Sequence, residues 1–168
     1  KQMSIEEASA YADRNPDKVT KLSQQQYDQR FGNQSSEYEI FRANAIAEKE
    51  RASQEKLNKV IAYTKQTLVL YLDEAALNRL CGYVTEYYLS DTLPKVEHIK
   101  VDSQLKTIDI MHFGWNIGKA FGKPRLQTAT FIKRIFAHTL RDLEISTIER
   151  KMSHTESECK INLIRSID

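Results

Sequence analysis

Gly118-Lys119-Ala120-Phe121-Gly122-Lys123-Pro124-Arg125 is the stretch whose composition comes nearest to chemistry, because glycine and lysine together can wrap a phosphate in backbone amides. The spacing does not complete the device. Only three residues separate the glycines, and Pro124 stands where a Mg²⁺-binding Ser or Thr is required. Nucleotide hydrolysis is not expected, and the stretch reads as a helix terminus and loop with basic flanks. His98, His112, His138 and His154 follow no HExxH or comparable ligand spacing. His112 falls in the most apolar part of the chain, where a buried or interfacial ring with one hydrogen bond is the expected role. No GxSxG or related turn presents a nucleophile. Cys81 and Cys159 stand far apart without a CxxC pattern, so they read as two free thiols and not as a zinc site or a disulfide. The acid pairs Glu6-Glu7 and Asp73-Glu74 suit the first turns of helices, where the dipole favours negative charge. An enzyme is not expected, and no cofactor or metal is implied.

Charge is the more informative signal. Between Lys119 and Lys151 lie eight basic residues, Lys119, Lys123, Arg125, Lys133, Arg134, Arg141, Arg150 and Lys151, against the acids Asp142, Glu144 and Glu149. That local excess of five exceeds the net +2 of the whole chain, so the remainder is slightly acidic. A concentrated basic segment is suited to phosphate contacts whose strength falls with salt. Its bland counterpart is a helical face on which cations alternate with core residues.

The elements that must carry these residues are helical. Five glycines and three prolines in 168 residues are too few for the reversals of an all-β protein. Ser4 with Glu7 forms a capping box for a short helix to about Ala12, and a second, polar helix follows Pro16 to Phe31. Ser36 with Glu39 opens a Gly- and Pro-free stretch to Leu72, whose charged middle, Glu48 to Lys56, reads as a solvated helix or as a flexible joint between two packed parts. The stripe Leu57, Val60, Ile61, Thr64 and Leu68 then faces a core. Asp73 is placed to cap a helix with Leu77, Leu80, Cys81, Val84, Tyr87 and Tyr88 on one face. Residues 92–101 read as a loop. From Ser103 apolar residues occupy several faces, the mark of a central helix, which Gly118, Gly122 and Pro124 end.

Thr128 is placed to cap a helix running to Leu140, and Ser146 with Glu149 and Thr155 with Glu158 suggest two short C-terminal helices. Ile161 to Ile167 also admits a strand. The pair Thr128–Leu140 and Ser146 onward is compatible with a helix-turn-helix, which sets Thr147, Arg150, Lys151 and His154 where bases or phosphates are contacted. The connection lacks the customary glycine.

The order of features from Ile108 to Leu163, with His112, Trp115, Phe131, Phe136, Leu143, Ile148 and Glu149-Arg150-Lys151, resembles the C-terminal region of RteC-type regulators of bacterial conjugative elements. It covers about a third of the chain. The resemblance implies a helical transcription regulator with a winged-helix-like or helix-turn-helix part that binds DNA.

The expectation is an all-α protein: a peripheral helical arm over residues 1–56 and a helical bundle over 57–168 with a possible helix-turn-helix-like C-terminal part. Its expected role is a DNA-binding regulatory or accessory protein of a mobile element, with Lys119, Lys123, Arg125, Lys133, Arg134, Thr147, Arg150, Lys151 and His154 at the nucleic acid. The alternative is a non-enzymatic interaction module, a homodimer or a protein partner being met through the long charged helix and Tyr83, Tyr87 and Tyr88. With no run of eighteen apolar residues and no leader, no membrane partner and a cytoplasmic location are expected, although a chain opening on Lys1 leaves room for residues upstream.

Overall fold

The computed structural model describes residues 33–90, 92–93, 95–156 and 158–168, together with 25–26 and 29–30. The Ser4 capping pattern and, but for isolated residues, the helix after Pro16 lie outside the described residues. The chain is all-α. Its helices among the fully described stretches are α1 (Asn33–Leu68), α2 (Glu74–Leu89), α3 (Thr107–Phe121), α4 (Arg125–Ile135) and α5 (Ile145–Lys151), and no strand occurs among the described residues. The chain divides into two compact units, Lys1–Arg51 and Ala52–Asp168, a boundary slightly before the expected one at residue 56.

In the first unit, the opening half of α1 is exposed along its described length. Glu48 and Arg51 pair one turn apart there, the kind of local contact that supports a solvated helix. Ser36 lies inside α1, which starts at Asn33, so it is not a cap.

The second unit is a bundle. Leu57, Val60, Thr64 and Leu68 face the core from α1, and the Thr64 hydroxyl is satisfied by donating to the Val60 carbonyl at 2.8 Å. Asp73 caps α2 as its type and position demand, its carboxylate accepting from the amide of Ala76 at 2.7 Å. Residues 92–93 and 95–101 have no regular secondary structure, and the connection is held where buried Ile99 donates its amide to the Ile135 carbonyl at 2.9 Å.

α3 is buried on most of its circumference, as its composition requires. It ends at Gly122, whose φ of 69° is the left-handed conformation that favours glycine at a helix C-terminus. Gly118, expected to help end the helix, lies inside it and has a packing role. A β-carbon at Gly118 would collide with the Thr128 side chain, and one at Gly114 would come within 2.8 Å of Ile132. The two glycines therefore form a flat strip against which α4 packs.

Four sequence expectations about helix ends fail, and for Thr128 the reason is a tertiary partner. Thr128 is not a cap: α4 begins at Arg125 behind Pro124, and the buried Thr128 hydroxyl lies 2.7 Å from the Tyr87 hydroxyl. α4 stops at Ile135 and not at Leu140, because residues 136–144 turn around the Lys133 ammonium group. Ser146 lies inside α5, whose N-cap position is Glu144. Thr155 and Glu158 start no helix among the described residues; the described residues after Met152 form an irregular strap bound along α3.

Candidate nucleic-acid interface

The basic segment is built on α3, α4 and α5, which pack in sequence, α4 against both neighbours. The connection between α4 and α5, residues 136–144, is longer than the three- or four-residue turn of a helix-turn-helix. Five of the basic residues expected at DNA have partners within the chain.

Arg125 is exposed, yet its guanidinium stacks 4.8 Å from the ring centre of Trp115 and donates to the carbonyl of Glu149 at 2.6 Å and to the hydroxyl of Ser153 at 3.1 Å. It thereby supplies donors and positive charge at the C-terminal end of α5, where carbonyls have no helical partner. Lys133 donates to the carbonyls of Leu140 at 2.8 Å and Arg141 at 3.3 Å, and also to that of Leu143, so it organises the connection from its centre. Arg134 donates to the Leu93 carbonyl, tying the 92–101 connection to α4. Lys119 donates to the Arg165 carbonyl at 3.1 Å, and Lys123 lies 5.2 Å over the Tyr87 ring.

The remaining expected residues lie on or just after α5. Ile148 is fully buried and points to the core. Ser146 and Arg150 lie roughly opposite it and are exposed; Thr147 is half-buried and Lys151 exposed beside them. His154 is exposed, and its carbonyl oxygen lies 2.6 Å from the Nε2 of His112. The structure thus brings Thr147, Arg150 and Lys151 together on one short helix and assigns the other cations contacts with carbonyls or rings.

Of the three tyrosines expected at a partner surface, Tyr87 is buried, and Tyr83 and Tyr88 are half-buried. Tyr87 is buried and stacks 4.1 Å from Phe131, Tyr88 stacks 4.5 Å from Phe121, and the Tyr83 hydroxyl accepts from the amide of Glu97 at 2.9 Å.

One constellation was missed by sequence reasoning. Asp109, His112 and Asn116, all buried, follow one another at three- and four-residue spacing along α3 and engage the backbone of the strap. Asp109 accepts from the amides of Lys160 and Ile161 at 2.6 and 3.0 Å, and from Lys106 at 2.9 Å. The ring nitrogens of His112 lie 2.7 Å from the Ile161 carbonyl oxygen and 2.6 Å from that of His154. Asn116 donates to the Asn162 carbonyl and the Tyr63 hydroxyl, and accepts from the Ile164 amide at 3.0 Å. Its signal in the sequence is a polar stripe at helical spacing on an otherwise apolar helix.

Cys81 and Cys159 are free thiols, and burial pushes the Cys81 thiol above its ordinary range while the charge of Lys65 pulls it partly back. Among the described residues no cluster of three or more His, Cys, Asp or Glu side chains is arranged to hold a metal, and no helix is long and apolar enough to cross a membrane. Compared with family models, with curated proteins and with solved structures, the chain matches none.

Proposed function

We propose that the chain is a DNA-binding regulatory or accessory protein of a bacterial mobile element, and that it meets the duplex through the outward face of α5. The observation that carries this reading is the disposition of Arg150 and Lys151. Both are exposed on a helix held against the core by Ile148, and among the described residues neither side chain has a hydrogen-bond or ion-pair partner. Ser146 and Thr147 add hydroxyls beside them, and Arg125 fixes the helix end from below. The resemblance of residues 108–163 to RteC-type regulators supports the same reading. The footprint is smaller than the basic segment suggested, since Lys119, Lys123, Arg125, Lys133 and Arg134 have internal contacts.

Mobility-shift titration of a mixed-sequence duplex at several salt concentrations tests it. Binding should weaken with salt, and R150Q/K151Q should lower affinity and flatten the salt slope by roughly 2, about one for each phosphate contact removed. No shift at low salt, or a shift indifferent to salt, overturns the reading.

A second reading, a helical interaction module, has its own observation. Tyr38 and Phe41, one turn apart on α1, are 64% and 72% exposed, and Ile40 and Ile46 are exposed as well. Large apolar side chains clustered on a solvated helix favour a second helix as partner. Light scattering across concentration separates the two: a strict monomer that shifts DNA leaves the interaction reading unsupported.

A further inference from the structure

The second half of α1, the end of α3 and the strap enclose a cleft of about 360 Å³. Its lining includes Lys56 and Lys59 from α1, Lys119 from α3 and Arg165 from the strap, four cations against the single carboxylate of Glu55. The same lining includes the aliphatic Val60, Ala120 and Ile164, with Asn116 and Ser166 as neutral polar members. The strap is not a loose wall, because Asn116 bonds it on either side of Leu163 through the Asn162 carbonyl and the Ile164 amide.

These cations differ from those of α4. Lys119 donates to the Arg165 carbonyl, but among the described residues the ammonium groups of Lys56 and Lys59 and the guanidinium of Arg165 have no hydrogen-bond or ion-pair partner. They therefore do not serve the fold as Lys133 and Arg134 do. Charges of one sign gathered over a low-dielectric floor focus the field and raise the local concentration of counter-ions. The volume lies at the lower end of the range of about 300–1,000 Å³ typical of small-molecule sites, which combine an apolar lining with a few converging polar groups.

We propose that this cleft binds a small organic phosphate, the phosphoryl group among Lys56, Lys59, Lys119 and Arg165 and the apolar body on Val60 and Ile164. A dianionic phosphate offsets the excess charge better than a single carboxylate, and it suits point charges from lysine beside the fork of an arginine. A bound phosphate would also bridge α1 and the strap, which are otherwise repelled from each other by the same cations.

The inference goes beyond the DNA reading and uses none of its α5 residues. Because a nucleic-acid backbone offers the same phosphate chemistry, the test separates the two sources. The full chain is titrated calorimetrically at low salt with AMP, inorganic phosphate and adenosine. AMP should bind more tightly than inorganic phosphate, and adenosine should give no heat. K56Q/K59Q, two changes on the exposed side of α1, should weaken AMP at least about tenfold, the effect of losing one charged contact. Its melting temperature and far-UV spectrum should match those of the parent, and R150Q/K151Q should bind AMP as the parent does. Amide exchange at Ile164 should slow when AMP is bound. Absence of AMP binding, equal affinity in K56Q/K59Q, or inorganic phosphate binding as tightly as AMP overturns the proposal. So does displacement of AMP by a short duplex whose own affinity falls in K56Q/K59Q, which assigns the cleft to backbone phosphates.

Discussion

The Nδ1 of His112 lies 2.7 Å from the carbonyl oxygen of Ile161, a residue forty-nine positions further along the chain. This contact is the middle of a series in which α3 presents an acid, an imidazole and an amide to a segment with no regular structure of its own. A buried irregular backbone needs a partner for every N–H and C=O that it does not satisfy itself. Asp109, His112 and Asn116 provide those partners, so the polar stripe substitutes for the ladder that a strand would have supplied.

Replacing Asp109 should therefore release the strap. Asp109→Ala removes the acceptor of three amides, and burial of unsatisfied donors costs about 1–3 kcal/mol each. With some relaxation into water, a loss on the order of 3 kcal/mol is expected, or roughly 6–12 °C in melting temperature for a chain of this size. Thermal melts followed by circular dichroism check the magnitude. Hydrogen exchange checks the location: the amides of Lys160 and Ile161 should lose protection before those of α2. Uniform loss across the bundle would argue that the strap is not a separate cooperative piece.

Gly118 tests the packing of α3 on α4. In Gly118→Ala the new methyl meets the Thr128 side chain, and overpacking of this kind costs about 1–3 kcal/mol. Thr128→Ala alone should also destabilise, because it removes the hydroxyl beside Tyr87. Together the two changes should cost less than their sum, since the second clears the space that the first needs. Urea denaturation of the four proteins gives the coupling directly, and strict additivity would show that α4 moves aside instead.

How much of this was legible in the sequence depends on where each residue finds its partner. Asp73 was readable as a cap because its acceptor serves an amide three residues away. Thr128 and Ser146 fit the same local patterns, but Pro124 and Glu144 hold the cap positions and the Thr128 hydroxyl turns to Tyr87. The basic segment was visible as charge alone. That Lys133 and Arg134 are engaged by carbonyls depends on chain turns that leave no periodic trace. Cations near helix ends and turns are good donors to unpaired carbonyls, so a local positive excess is also what a fold with short helices and long connections requires. Asp109, His112 and Asn116 had a readable spacing, but their partner strap lies more than forty residues away and has no pattern of its own.

Arg125 and Trp115 offer an optical test of that structural role. Trp115 is the sole tryptophan, so its emission reports the stacked guanidinium without labelling. Arg125→Lys keeps the charge but loses the planar guanidinium that stacks on Trp115 while its Nη2 donates to both the Glu149 carbonyl and the Ser153 hydroxyl. Stability should fall by about 1 kcal/mol, the contact being exposed, and Trp115 emission should shift. The α5 amides, Met152 included, should exchange faster. Unchanged emission would mean that the stack is not populated in solution.

Tyr63 sets the behaviour at alkaline pH. Burial raises the pKa of its phenol above the ordinary value, with hydrogen bonds involving Asn116 and Thr67 pulling it partly back. The folded chain therefore holds this proton more tightly than the unfolded chain. As pH rises past about 10, the unfolded state ionises first, so the stabilisation is complete below that pH and is lost on rising through the folded-state value. Tyr63→Phe removes the titration together with the hydroxyl that accepts from Asn116 at 2.8 Å. It should be somewhat less stable than the parent at about pH 8, by the 0.5–1.5 kcal/mol of a typical hydrogen bond, but lose stability less steeply between about pH 10 and 11. Urea midpoints measured across that interval decide the matter, and parallel curves for the two proteins would remove Tyr63 as the titrating group.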